Sequence, residues 1–267
     1  MGKADSDVLI PSVLAVIANL FVAGVLVLIL HLTNQLQPLL EEEAEPTAFL
    51  YSLLIGFTVI GYIISYFLTS MTVNMVDAYL RGQDANLKVA WADAMHNFWA
   101  ILWLAVIATA VNLLTSAIRG KNRRSVSSLA ADAVDKAWQV ASLLLLPIII
   151  IEDISFADAS KRAMRLHRKS LIQLVVAEVG LTILQKVGGF LLLLIGILPA
   201  VLLYFMAPPL LYLGIGWAVL MLVLMTALLM YVRTAFYTCL YLWAAAAETA
   251  GDTVPAPAPL YRALQSA

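Results

Sequence analysis

Three ionisable side chains fall inside apolar stretches that water would not reach: Glu178, Lys186 and Arg233, with Asn112 as a neutral fourth. An ionisable group within a membrane helix costs roughly 2.5–3.5 kcal/mol on insertion scales and is a functional candidate for that reason alone. Glu178 and Lys186 are eight residues apart, which puts them near one face of a helix. Glu178 could meet Arg233 if the helices that carry them run antiparallel. Such a set fits a transport or proton-relay site. The plainer reading is a structural ion pair, or basic side chains snorkelling to the interface. Asn112, with Asn19, Asn74, Asp77 and Gln185, fits a polar seam in which side chains hydrogen-bond between helices.

The most distinctive polar feature outside these stretches is a basic helix carrying Lys161, Arg162, Arg165, Arg168 and Lys169. Anionic lipid head groups are its natural partner, at about 1 kcal/mol per basic residue near the surface; anchoring of topology is the plainer role. Other chemistry finds no support. His31, His96 and His167 are isolated from one another and from Cys239, so no metal site is expected. No nucleophile elbow, zinc-protease, phosphate-loop or dinucleotide motif occurs, so neither enzymatic activity nor a cofactor is expected. The Gly188-Gly189 and Gly214-x-Gly216 pairs point to close helix packing. With a single cysteine no intrachain disulfide can form, and a net charge of -1 gives no basis for nucleic-acid binding.

The elements that must position these residues are membrane helices. Apolar residues make up 63% of the chain and charged residues 12%, against about 45–50% and about 25% in soluble domains. Near charge-free runs of about 20 residues read as spans. The expected fold is an all-α polytopic bundle, a single transmembrane domain over 1–252 with a Pro-rich tail at 253–267. Six spans are placed at about 8–32, 49–73, 98–118, 137–151, 171–198 and 210–247. The first run is too long, and has the wrong flanks, for a cleaved signal peptide. Asp84 is the expected cap of an amphipathic interfacial helix over Leu87 to His96; Ser155 is the expected cap of a second, the basic helix. The fourth span is short. Fifteen residues cover only about 22 Å, so it must borrow polar flanks, meet a thinned bilayer or stop short of crossing, and Pro147 can kink it. Shifting the chain by 69 positions lays Leu87, Ala94 and Met95 over Phe156, Ala163 and Met164; an internal duplication and chance likeness of amphipathic segments both account for this.

With six spans and the N-terminus inside, nine Lys or Arg fall on the cytoplasmic side and five opposite. The positive-inside rule then places both termini in the cytoplasm of a multi-pass cell-membrane protein. The Arg119 to Arg124 loop opposes this. A re-entrant fourth segment would put both basic clusters on one side, with five spans.

Ala137-Trp138-Gln139-Val140, Pro147 through Glu152, and Ala157-x-Ala159-x-Lys161-Arg162 resemble the pattern of an uncharacterised family of six-helix prokaryotic membrane proteins, a domain of unknown function. Leu240 to Trp243 and the tail from Val254 resemble that family's ending, and Ala163 stands where its pattern has serine. The chain is also distantly similar to the membrane domain attached to some glycerophosphodiesterases, with no hydrolase domain in these 267 residues. The resemblance implies six spans and marks Trp138, Pro147 and Glu152 as structural landmarks, Glu152 tying the end of the fourth span to Lys161, Arg162 or a helix N-terminus. The expected role is a non-enzymatic scaffold or accessory subunit of a membrane complex; the alternative is a transporter-like protein for a small or lipidic solute. Expected partners are membrane lipids, anionic head groups among them, and a protein partner or second copy held through lipid-facing helices.

Overall fold

The computed structural model describes residues 6–35, 47–119, 134, 138, 141–142, 144–166, 186–206 and 211–250, and they contain helix and turns with no strand. Helix α1 is Ile10–Leu32, led in by a short 3-10 turn at Ser6–Leu9, with Pro11 in the first turn, where a missing N–H costs nothing. Helix α2 is Ala48–Leu80. The Thr47 hydroxyl accepts from the Leu50 N–H at 3.2 Å at its start, and Gly82, at φ 72°, turns the chain after its end. Helix α3 is Leu87–His96 and α4 is Phe98–Arg119. The cap of α3 is Asn86, whose side-chain oxygen accepts from the Lys88 N–H at 2.9 Å, and not the expected Asp84. Helix α5 covers residues 144–152 and α6 residues 156–166. Ser155 does cap α6: its hydroxyl accepts from the Asp158 N–H at 3.3 Å and donates to the Asp158 carboxylate at 2.8 Å. Helix α7 covers residues 186–206 and α8 is Leu211–Ala250.

Four helices are long and apolar enough to cross a membrane: Asp7–Leu32, Ala48–Leu80, Phe98–Ile118 and Tyr212–Glu248. They correspond to the first, second, third and last expected spans. The expected fourth span behaves differently. Residues 144–150, Pro147 among them, are buried on every side, so this apolar segment is wrapped in protein rather than lipid. Much of the expected fifth span lies outside the described residues, but its end is misplaced in the sequence reading, because α7 runs through Pro199 to Met206.

The way α7 passes Pro199 has a clear physical basis. Proline brings no N–H to the carbonyl four residues back, that of Ile195. Leu192–Ile197 widens into a π-helical stretch, with the Leu198 N–H bonding the Leu193 carbonyl. The indole of Trp217 on α8 donates to the orphaned Ile195 oxygen at 2.8 Å. A carbonyl left open in lipid is costly, since no water is there to satisfy it. Trp217→Phe is therefore expected to lower unfolding stability in detergent by about 1 kcal/mol. In a Pro199→Ala background the same substitution should cost less, and a double-mutant cycle of unfolding free energies checks the coupling.

Interhelical contacts fix the helix directions. Ser12 lies 3.5 Å from Thr72, Asn19 bonds Ser65 at 3.0 Å and the Thr47 hydroxyl donates to Gln35 at 3.4 Å, so α1 and α2 run antiparallel. Tyr241 and Arg233 on α8 lie within electrostatic reach of Asp77 and Tyr66 on α2, in parallel order. Gly214 faces Ala200 and Gly188 faces Leu229, so α7 and α8 are antiparallel. One end of the bundle, the near face, thus gathers the start of α1, the ends of α2, α5 and α8, and helices α3 and α6. Helix α4 leaves this face and ends at Arg119, about 33 Å away along 22 residues, at the far face. Exposed Tyr51 and Tyr79 on α2 are 28 residues apart. That is about 42 Å, the thickness of a bilayer with its head-group regions, and the aromatic belt is completed by Trp91 and Trp99 at the near face and Tyr212 at the far one.

The buried core sits at the near end. It is built from Phe67 to Val76 of α2, Ile101 and Leu104 of α4, Leu145 to Ile150 of α5 and Tyr241 of α8. At about 50 Å, α2 outreaches the roughly 30 Å hydrocarbon layer, and α3 packs against it beyond that layer. Ala90 of α3 and Ala159 of α6 are fully buried in this same core. Trp91 packs edge-on against Phe67 at 4.9 Å between ring centres.

Candidate functional site

The densest polar constellation grows out of the turn between α5 and α6. Helix α5 stops at Glu152, Asp153 takes the left-handed conformation at φ 52°, as a short polar side chain tolerates, and Ser155 restarts the chain as α6. Ala159, Arg162 and Leu166 share the inward face of α6 at helical spacing, so Arg162 projects inward while Lys161 and Arg165 project outward. The Arg162 Nε donates to Glu152 Oε1 at 2.9 Å, and its Nη1 pairs with the Glu248 carboxylate at the end of α8. The Tyr241 hydroxyl, two turns before Glu248 on the same face of α8, donates to the same Glu152 oxygen at 2.7 Å. The Arg162 side chain is 18% exposed, and those of Glu152 and Glu248 27% and 26%. Burial works against the charged guanidinium, but the hydrogen bonds and charges of the two carboxylates outweigh it and hold the Arg162 pKa above its ordinary value.

A second polar pair lies alongside, under α3. The Asn74 amide of α2 donates to Asp93 at 3.0 Å, and exposed His96 faces Asp153 at 3.5 Å, linking α3 to the α5–α6 turn. The Asp93 pKa is raised, chiefly by burial and then by the charge of Asp153, against the lowering effect of the Asn74 bond and of His96. A carboxyl raised in the folded state adds stability that is complete below its unfolded pKa and is lost as pH climbs through the folded value. Asp93→Asn is therefore expected to raise the thermal midpoint at neutral pH, with the gain vanishing as pH falls toward the ordinary aspartate range near 3.8. Melting curves across pH check it.

Glu152 is the hub of the cluster. Arg162, expected at lipid head groups, is turned inward between two carboxylates, because it lies on the apolar stripe of α6 rather than on its outer face. Lys161 pairs with Asp158 at 3.2 Å, and the Asp158 carboxyl is held below its usual range first by the Ser155 hydroxyl and then by Lys161. Arg165 is exposed, and Arg168 and Lys169 lie outside the described residues. Among the described residues at the near face, five Lys or Arg stand against eight Asp or Glu, so this end is acidic rather than basic. Pro147 is buried in α5, and half-buried Trp138 packs on the core. Glu178 lies outside the described residues, Lys186 is exposed at the start of α7, and Arg233 is half-buried beside Tyr66, so the expected meeting of Glu178 with Arg233 has no described geometry. The Asn112 amide donates to the Tyr62 hydroxyl at 3.3 Å, joining α4 to α2. Nothing in the sequence pattern marks Glu248, and Tyr241 stands out only as part of the closing Leu240 to Trp243.

A family model covers residues 48–252, from the first residue of α2 to just beyond α8. The chain belongs to DUF6159, a family of unknown function. The DUF6159 region contains the whole near-face cluster of Glu152, Arg162, Tyr241 and Glu248, together with all of α2 to α8; α1 lies ahead of it. No curated protein and no solved structure matches the chain.

Chemically, the near-face cluster is a clamp. Two carboxylates share one guanidinium, Glu152 also accepts from the Tyr241 phenol, and every contact joins two separate elements: α5 to α6, α6 to α8, and α8 to α5. Among the described residues no group of three or more His, Cys, Asp or Glu is placed to hold a metal ion.

Proposed function

We propose that this DUF6159 protein is a six-span, non-enzymatic scaffold or accessory subunit of a membrane complex, set in the cell membrane with both termini in the cytoplasm. The observation that carries the reading is the outward apolar wall of α7 and the first half of α8. Phe205 is 78% exposed, Tyr212 82% and Leu213 68%, and among the described residues α7 packs along α8. By contrast, intramembrane polar side chains such as Asn19, Asn112, Ser12 and Thr72 are engaged in bonds from helix to helix. A rigid near-face core with a lateral apolar wall suits assembly against other membrane helices, through van der Waals contact rather than chemistry. The likeness in sequence pattern to the membrane domain of glycerophosphodiesterases fits a part that serves a catalytic neighbour.

Helix directions support six spans. Helix α4 ends at the far face and α5 ends at the near face, as a six-span order requires. Duplication gains support from the same shift of 69 positions: it superposes Asn86 on Ser155, both caps, and Ala90 on Ala159, both fully buried. With the near face cytoplasmic, the positive-inside count holds, and Lys161 and Arg165 with Arg168 and Lys169 are the groups left for lipid head groups. A photo-crosslinking residue at Phe205 or Leu213, compared with one at exposed Phe21 on α1, tests the assembly reading in native membranes. A stoichiometric protein adduct from the α7–α8 positions and not from Phe21 is expected. A lone protein carrying a defined solute after mild-detergent purification would instead favour the transporter reading, which has one observation on its side, a polar-floored groove between α1 and α2.

A further inference from the structure

That groove has a volume of about 320 Å³ and opens sideways between α1 and α2, at the lower end of the size range of small-molecule sites, about 300–1,000 Å³. Its depth is set by α2. Ser65 lies fourteen residues from both Tyr51 and Tyr79, so it stands about 21 Å from each aromatic belt, at the middle of the membrane. Ala23 of α1 and Gly61 of α2 leave the space open, and no charged residue lines it.

The polar floor is unusual in what it leaves unspent. The Asn19 amide nitrogen donates to the Ala15 carbonyl at 2.8 Å and to the Ser65 hydroxyl at 3.0 Å, which fixes the amide orientation and makes Ser65 an acceptor. The Asn112 amide nitrogen donates to the Tyr62 hydroxyl at 3.3 Å. Each hydroxyl therefore keeps its proton, and neither donates to another described residue. Thr58, by comparison, gives its proton to the Leu54 carbonyl at 2.8 Å. Tyr62 and Ser65 are three residues apart and share one face of α2. Two donors with no acceptor among the described residues, at mid-membrane where lipid tails offer none, are costly to leave open.

We propose that the α1–α2 groove is a binding site for a neutral, membrane-dissolved molecule bearing a hydrogen-bond-accepting carbonyl oxygen, of the quinone type, held by the Tyr62 and Ser65 hydroxyls. The absence of charge in the lining excludes an ionic ligand. The depth excludes phospholipid head groups and ester carbonyls, which lie near the aromatic belts. The site goes beyond the scaffold reading and does not rest on it.

The test uses the full-length protein in nanodiscs and two tritiated probes, a decyl-substituted benzoquinone and decylbenzene, which keeps the ring and tail but lacks the carbonyls. Saturable binding of about one quinone per chain, above partition into empty nanodiscs, is expected for the first probe and none for the second. Tyr62→Phe and Ser65→Ala should each weaken quinone binding about fivefold, and Ala23→Leu, which fills the groove from an exposed position and breaks no hydrogen bond, should abolish it with its melting curve unchanged; the elution profiles of all three variants should match the parent. Equal saturable uptake of both probes would reduce the groove to a packing gap that takes hydrocarbon and overturn the proposal. So would the absence of saturable quinone binding to the unaltered protein, or saturable binding that the substitutions leave untouched.

Discussion

Arg162→Leu should lower unfolding stability by roughly 2–3 kcal/mol. Removing one partner of a fully buried ion pair costs about 3–5 kcal/mol, because a charge is left uncompensated. Arg162 leaves two carboxylates behind, but each is about a quarter exposed, so water takes up part of the cost. Arg162→Lys should recover less than half of the loss, since one ammonium cannot reach both Glu152 and Glu248 in the way a forked guanidinium does. Adding Glu248→Gln to Arg162→Leu should recover part of the stability, because it removes one of the stranded charges. Urea or thermal unfolding in a fixed detergent measures all three, and an Arg162→Leu protein as stable as the parent would mean that the cluster clamps nothing.

Gly214→Val is the second large effect, and it comes with its own control. A Cβ at Gly214 would lie 2.9 Å from the Ala200 backbone oxygen and 3.1 Å from its Cα, whereas a Cβ at Gly216 would meet nothing within 4 Å. The Ala200 backbone cannot swing aside as a side chain does, so the α7–α8 hairpin must open, at a cost of about 1–3 kcal/mol. Gly216→Ala should be neutral or stabilising by up to about 1 kcal/mol through helix propensity. The comparison is read in the melting midpoints of the two variants, and a Gly214 variant that behaves like the Gly216 one would remove the close hairpin from the account. The two-glycine pattern was visible in the sequence, but not which member does the packing. Gly188 and Gly189 split in the same way: Leu229 presses within 3.0 Å of a Cβ at the first, and nothing meets one at the second.

Helix existence was legible where lipid sets the composition. The first three expected spans and the last are long apolar runs, and they reappear as α1, α2, α4 and α8 with ends shifted by a few residues. Composition says less where protein replaces lipid around an apolar segment. Residues 144–150 have the composition of a span, yet neighbours bury them on all sides, and only the shortness of the run hinted at this. Pro199 misled for a related reason: a proline reads as a helix end, but a π-helical turn and the Trp217 indole let α7 pass it. The cap of α3 was displaced by two residues because Asp84 and Asn86 are both acceptable caps and only backbone geometry chooses between them.

The near-face cluster was half legible. Glu152 and Arg162 are ten residues apart across a single turn, and Arg162 falls three after Ala159 and four before Leu166, on the apolar stripe of its helix. That phase was the available sign that it points inward while Lys161 and Arg165 point out. Glu248 lies 86 residues after Arg162, and Tyr241 89 after Glu152; no local pattern carries a pairing at that separation. The groove between α1 and α2 was equally hidden. Asn19 reads as an ordinary polar residue in a span until the antiparallel packing of the two helices brings it to Ser65.

The most direct test of this account is the sidedness of its two ends. In a Cys239→Ala background, single cysteines at Lys88, Lys161 and Arg119 would be exposed to a membrane-impermeant maleimide in intact cells. The account predicts labelling at 119 from outside, and at 88 and 161 only after permeabilisation, because α3 and α6 share the near face while α4 ends at the far one. Labelling of 119 and 161 from the same side would contradict it, and with it the six-span bundle.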